Sequence, residues 1–293
     1  MTNFIETIID GIATGSIYCA LALALVLIYR STGIVNFAQG EMAMFSTFIA
    51  WGLAEAGIAI GFAVLITLAV SFVAGMIIER VLIRPVEGGQ ELTLVVVTLG
   101  LFILINGLAR WIWGSQNRGF PRLLPDDPVE VAGIQTSLEA LGLVAVLLGV
   151  VGVLFLVFQR TKIGLAMRAA AVNPMASRTV GVPVGRMLML GWGLAALCGA
   201  IAGVLVAPRL FLDVNLMGPV IIYSFAAATL GGFDSPFGAV LGGWIIGVAE
   251  ALAGGYVGFI GQDLKILVPL GVILAVLLVR PHGLFGSPDV ARA

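Results

Sequence analysis

Few side chains in this sequence could carry out chemistry, and their positions rule out most of it. His282 is the only histidine and lies close to the C-terminus, so sites built on paired histidines are absent and a Ser-His-Asp triad has almost nothing to draw on. Cys19 and Cys198 sit in separate apolar runs, a spacing that suits neither a disulfide framework nor a zinc site, and both read as small packing residues. Lys162 and Lys265 are the only lysines and follow Thr161 and Leu264, so the chain contains no Gly-x-x-x-x-Gly-Lys-Ser/Thr loop for ATP. No catalytic residue, cofactor or metal is expected. What remains is a handful of polar groups in apolar surroundings: Asn36, Gln39, Glu41, Asn106 and Glu250, with Glu55 at an interface. A carboxylate at the centre of a bilayer costs roughly 2.5 to 3.5 kcal/mol, so Glu41 and Glu250 must face protein or water.

The elements that position these groups are membrane helices. Of 293 residues, 60% are hydrophobic and 11% charged, against roughly 25% charged in a soluble domain. The fold class is therefore all-α, a polytopic transmembrane bundle of about eight or nine spans at roughly 20 apolar residues each. Apolar runs predict spans over 8–29, 37–54, 58–79, 92–112, 137–158, 187–207, 219–233, 237–255 and 263–280. Residues 1–293 read as one membrane domain, with no second core for catalysis. The first apolar stretch continues to Tyr29 without a small-residue cleavage signal and is expected to stay as the first helix. The basic residues are scattered, which excludes nucleic acid as a main partner.

Charge placement orients the bundle. With the C-terminus inside, the cytoplasmic segments hold Arg30, Arg80, Arg84, Arg160, Lys162, Arg168, Arg178, Arg186, Arg280 and Arg292. The other side holds Arg110, Arg118, Arg122, Arg209 and Lys265. The positive-inside rule then predicts an outside N-terminus and a cytoplasmic C-terminus. Small residues recur four apart at Gly11/Gly15, Gly57/Gly61, Gly199/Gly203, Gly238/Gly242 and Gly243/Gly247, a pattern expected to let helices pack closely. Two stretches look interrupted: Gly33 to Glu41, and Leu230 to Gly238. Non-helical backbone at membrane depth is tolerated only where protein or a water-filled cavity satisfies it, and such breaks point to a translocation pathway.

The loop from Arg160 to Arg186 has internal structure. Leu165 to Val172 is Ala-rich and reads as helix; Asn173 is then a good N-cap, Pro174 a good first helical residue, and Gly181 suits the position after the C-cap. A helix of that length is far below the roughly 12 to 15 residues needed for stability in water, so it must dock on something. Its neighbours Ala169, Ala170, Ala171, Ala176 and Ser177 are too small to insert into lipid and fit a protein groove instead.

These stretches, Gly33-Ile34-Val35-Asn36-Phe37-Ala38-Gln39-Gly40-Glu41-Met42, Thr161 through Gly181, and Arg280-Pro281-His282-Gly283-Leu284-Phe285-Gly286, resemble the LivH-type permeases of bacterial ABC importers for branched-chain amino acids. The resemblance runs over essentially the whole chain. The middle stretch, with Gly164, Asn173, Ala176 and Gly181, is shared with sugar permeases of the same superfamily. One departure is His282, where the family more often carries Gln. The resemblance implies a subunit with no catalysis of its own in the bacterial inner membrane. Its implied partners are two cytoplasmic ATPase subunits, a second LivM-type permease and an extracytoplasmic substrate-binding protein. It also implies that Asn173 to Gly181 is a coupling helix flanked by Arg168 and Arg178, with Ala169, Pro174, Ala176 and Ser177 at the ATPase contact. Asn36, Gln39 and Glu41 are expected to line the pathway for an aliphatic amino acid. The alternatives are a urea, amide or other small-solute cargo, or an ion-coupled transporter built on Glu41 and Glu250.

Overall fold

The structure is a computed structural model that describes residues 2–131, 134–261 and 263–286, so Arg292 lies outside it. Among these residues the helices are α1 (Thr2–Thr32), α2 (Gln39–Glu55), α3 (Ile60–Ile78), α4 (Glu91–Trp113), α5 (Leu138–Arg160), α6 (Lys162–Val172), α7 (Pro174–Thr179), α8 (Val184–Leu210), α9 (Met217–Gly231), α10 (Pro236–Tyr256) and α11 (Leu267–Val279). A helix underlies each of the nine apolar runs. Six helices are long and apolar enough to cross a bilayer, namely α1, α3 with its extension to Val86, α4, α5, α8 and α10; α9 and α11 are shorter apolar helices. The protein is a multi-pass, all-α membrane bundle. Among the described residues the strands form a hairpin, β1 (Pro128–Val131) antiparallel to β2 (Ile134–Ser137), in the α4–α5 connection. Its alternating Val129, Val131, Ile134 and Thr136 suit a pleated strand.

Burial separates core from rim. The apolar windows of α1 and α8 are 89% and 72% buried, those of α3, α4 and α5 only 22%, 22% and 17%. Helices that are apolar all round either fill a core or face lipid, so α1 and α8 are the former and much of α3, α4 and α5 the latter.

The chain forms two compact units. One comprises Met1–Val26, Leu124–Leu147 and Gly218–Ala293, the other Leu27–Leu123 and Leu148–Met217. In the first, Gly11 and Gly15 of α1 lie so near Gly247, Val248 and Gly243 of α10 that a Cβ on either would meet α10 backbone at 2.7 Å. Small residues here bring backbones together, as lipid-embedded packing requires. Trp244 Nε1 donates to Ser16 Oγ at 3.1 Å, and Tyr18 donates to Glu250 at 2.7 Å while stacking on Tyr223. Glu250 is thus held by interhelical hydrogen bonding. The second interruption falls between α9 and α10, where Ser235 caps α10 by accepting from Gly238 N at 3.0 Å. The Arg280–Gly286 stretch folds onto it: Leu284 N and Phe285 N donate to the carbonyls of Leu230 and Gly231.

In the second unit α8 is the central post. Gly199 and Gly203 face Gln39, Ala43 and Thr47, so α2 runs parallel to α8. Gly185 faces Arg84 and Gly75 faces Trp192 and Ala196, so α3 runs antiparallel to it. Phe48 stacks on Trp113 and Glu41 pairs with Asn106, which sets α4 parallel to α2. Gly57 and Gly61 face open space, unlike the other glycine pairs, because Gly57 lies in the α2–α3 turn and Gly61 in the first turn of α3, away from a helix interface.

Candidate functional site

The first interruption is a buried break in the second unit. Gly33 adopts a left-handed φ of 74° that ends α1, its N–H reaching the Tyr29 carbonyl at 2.7 Å. The chain reverses and α2 starts at Gln39, whose side-chain Nε2 donates to the Ala195 carbonyl at 3.1 Å. Ala195 is eleven residues beyond Val184, the first residue of α8, or about 16 Å along the axis at 1.5 Å per residue. That is near the middle of the 27-residue α8. The polar groups exposed by the break are satisfied locally. Asn36 Oδ1 accepts from Ala38 N at 3.0 Å and its Nδ2 donates to Gln39 Oε1 at 3.2 Å. Asn36 and Gln39 are both fully buried. A Cβ on Gly199 would meet Gln39 Nε2 at 2.6 Å, so glycine there leaves room for this amide.

Glu41 occupies the first turn of α2, where the positive end of the helix dipole favours a carboxylate. It accepts from Asn106 Nδ2 at 3.0 Å, and the same amide donates to the Val214 carbonyl at 3.0 Å. Arg110 extends the chain: its Nε donates to Asn106 Oδ1 at 2.7 Å and its Nη2 to Asn215 Oδ1 at 3.3 Å. Glu41, Asn106, Arg110 and Asn215 thus form one polar ladder from the break to the far end of α4. Sequence reading found the lower rung and missed Arg110; the signal was its i, i+4 spacing from Asn106 on one helix face.

At the opposite end, α6 and α7 form a segment of two short helices. Thr161 caps α6 by accepting from Gly164 N at 3.0 Å. Asn173 closes α6 and opens α7, its Oδ1 accepting from Ala176 N at 2.9 Å, with Pro174 in the first turn. Gly181 has φ 83° in the position following the C-cap Val180. α7 is anchored from one side only. Ser177 is buried, and Ala170 of α6 packs with Val184 and Leu188 of α8. Ala169, Ala176 and Arg178 are exposed, as are the apolar side chains of Val172, Met175 and Val180, at 84%, 79% and 78%. Arg168 lies back from this tip, its Nη1 bonded to Gln159 Oε1 at 3.0 Å.

A clamp ties this segment to α3. Just past α3 a π-helical turn, Glu79–Ile83, carries Glu79, which is 1% exposed. Arg84 grips its carboxylate with two nitrogens, Nη2 at 2.7 Å and Nε at 3.2 Å, and donates from Nη2 to the Gly185 carbonyl at 2.5 Å. One guanidinium thereby joins the end of α3 to the first turn of α8, directly after α7. Sequence reading treated Arg84 as a charge to be counted and missed the clamp. Beside it, burial and the neighbouring Glu79 push the Glu87 carboxyl above its usual range, against opposing pulls from Arg178 and Arg84. A raised carboxyl means that the folded state is penalised when Glu87 ionises, so its stability is greatest below the unfolded value of 4.5 and is lost as pH rises. Glu87→Gln should therefore raise the melting temperature at pH 7 by about a degree, given partial solvent screening. The gain should vanish on approaching pH 4.5, which a pair of thermal melts in detergent would check.

Known proteins are similar to this sequence along almost its full length. The permease protein BraD of the high-affinity branched-chain amino acid transport system of Pseudomonas aeruginosa is 29% identical, covering 99% of this chain and 98% of its own. LivH of Escherichia coli, named for the same kind of system, is 30% identical over 99% and 97%. A LivH described as a probable branched-chain amino acid transport permease in Methanocaldococcus jannaschii is 29% identical over 96% and 92%. Residues 7–277, which include the break, the polar ladder, the clamp and the α6–α7 segment, match the model of one family. The chain belongs to the family of branched-chain amino acid transport system permease components.

Proposed function

We propose that this chain is the membrane-spanning permease subunit of an ATP-driven importer that moves branched-chain aliphatic amino acids into the cytoplasm. Hydrolysis is carried by separate subunits. One of two cytoplasmic ATPases docks on α7 through the exposed Val172, Met175, Ala176, Arg178 and Val180, while Ser177 and Asn173 hold the helix in shape beneath it. Ala169, Pro174 and Gly181 keep that segment small and tightly turned, and Arg168 braces it from the α5 side. A related LivM-type subunit completes the permease pair, and an extracytoplasmic binding protein delivers the cargo. The protein lies in the bacterial inner membrane with α7 and the C-terminus cytoplasmic. α2, α9 and α11 join the six long helices as membrane-embedded segments, giving nine.

The observation that carries this reading is the pairing of full-length kinship to named branched-chain amino acid permeases with a short helix that is anchored on one side and exposes Met175 on the other. Glu41 is the polar rung nearest the pathway. Asn36 and Gln39 hold the break that frees the α2 N-terminus, and an aliphatic zwitterion needs few polar contacts beyond these if selection occurs outside the membrane. Motion at α7 passes to α8 by chain continuity and to α3 through Arg84. Competition uptake tests the cargo: unlabelled leucine and valine should suppress uptake of labelled isoleucine in cells expressing the full importer. Suppression by urea with no effect of leucine would reassign it.

A further inference from the structure

A cleft lies beside α6, behind the exposed tip of α7, and of its lining only Arg168 has a role in the reading above. It is an open, shallow cleft within the second unit, between the last turns of α1, the end of α5, α6 and the first turns of α8. Most of its wall is apolar, supplied by Leu27, Phe158, Met167 and Leu188. Arg30 and Arg168 line it too. The Nε of Arg168 is buried and has no hydrogen-bond partner in the protein, although Nη1 is fixed by Gln159. A buried guanidinium N–H left this way is costly unless an acceptor reaches it. Gly191, the deepest α8 residue in the wall, is seven residues past Val184, so the cleft runs about 10 Å inward from the helix end.

We propose that this cleft binds one anionic phospholipid, its phosphate between Arg30 and Arg168 and an acyl chain along Leu27, Leu188 and Gly191. The chemistry selects the occupant. Basic pockets between membrane helices near an interface hold anionic headgroups, and charge-assisted bonds from guanidinium to phosphate are the strong ones. A dissolved anion has no use for the apolar floor, and a zwitterionic lipid brings no net charge to the two arginines. Because α6 forms one wall and leads into α7, the bound lipid braces the docking segment.

The test is lipid retention, read by native mass spectrometry on the full chain extracted from membranes containing phosphatidylethanolamine and phosphatidylglycerol. The wild type should keep one phosphatidylglycerol, and Arg168→Gln should weaken its retention by roughly fivefold to tenfold. Arg168→Lys, which keeps the charge, should restore most of it, separating phosphate binding from misfolding. Ala171→Trp should expel the lipid with both arginines in place. Equal retention in Arg168→Gln and the wild type, or equal retention of the zwitterionic lipid, would overturn the proposal. So would displacement of phosphatidylglycerol by inorganic phosphate alone, which would mark a free-anion site. The readout is lipid and not transport, so failure here leaves the docking role of α7 untouched.

Discussion

Arg84→Met is expected to destabilise the chain by about 3 kcal/mol, because removing one partner of a buried pair strands the other charge. Glu79 is almost wholly inaccessible and both its oxygens are held by Arg84. The same substitution deletes the link to the Gly185 carbonyl. Replacing both partners, Glu79→Gln with Arg84→Met, should recover a large part of that loss, since no buried charge is left over. Thermal melts in detergent on the single and double variants measure the difference; a double variant no more stable than the single would mean that Glu79 is not the penalised group. In vesicles, the double variant should also transport poorly for its stability, because α3 would no longer follow α7.

The second large effect is uncoupling. Ala176→Trp combined with Gly181→Val should reduce uptake to background while the helices remain inserted and the assembled importer goes on hydrolysing ATP at its basal rate. Gly181 holds φ 83°, a region that costs an L-residue roughly 1–2 kcal/mol and a β-branched one more. The turn after α7 would shift. Ala176 lies on the exposed side of the knob next to Met175, so an indole there props the docking surfaces apart without touching the buried anchor at Ser177. Transport and ATPase assays on the same proteoliposomes check the ratio of the two rates. Normal uptake by this variant would remove the docking assignment.

These two sites differ in how readable they are from sequence. Asn173, Pro174 and Gly181 act through bonds to residues a few positions away, so residue type and spacing alone foretell α7 and its caps. The breaks at Gly33 and Gly232 are legible for the same reason, as glycines next to polar residues at the ends of apolar runs. The nine apolar runs locate their helices to within about six residues because each is long and carries few charges. The Arg84–Gly185 bond joins residues 101 positions apart, and no local pattern announces it. Glu41 and Asn106 are 65 apart; each looked like an isolated polar residue until the packing of α2 on α4 brought them together. The hairpin over Pro128–Ser137 escaped notice because its strands are only four residues each, too short for alternation to stand out in a polar connection.

The central claim is that force reaches this chain from a nucleotide-hydrolysing neighbour through α7. Met175 is the natural probe, since it is the exposed apolar side chain on that helix and both native cysteines are buried. A Met175→Cys variant carrying a photoactivatable cross-linker, activated in intact cells, should capture an ATPase subunit. Cross-linking that yields only lipid adducts, with the importer demonstrably assembled and active, would contradict the account.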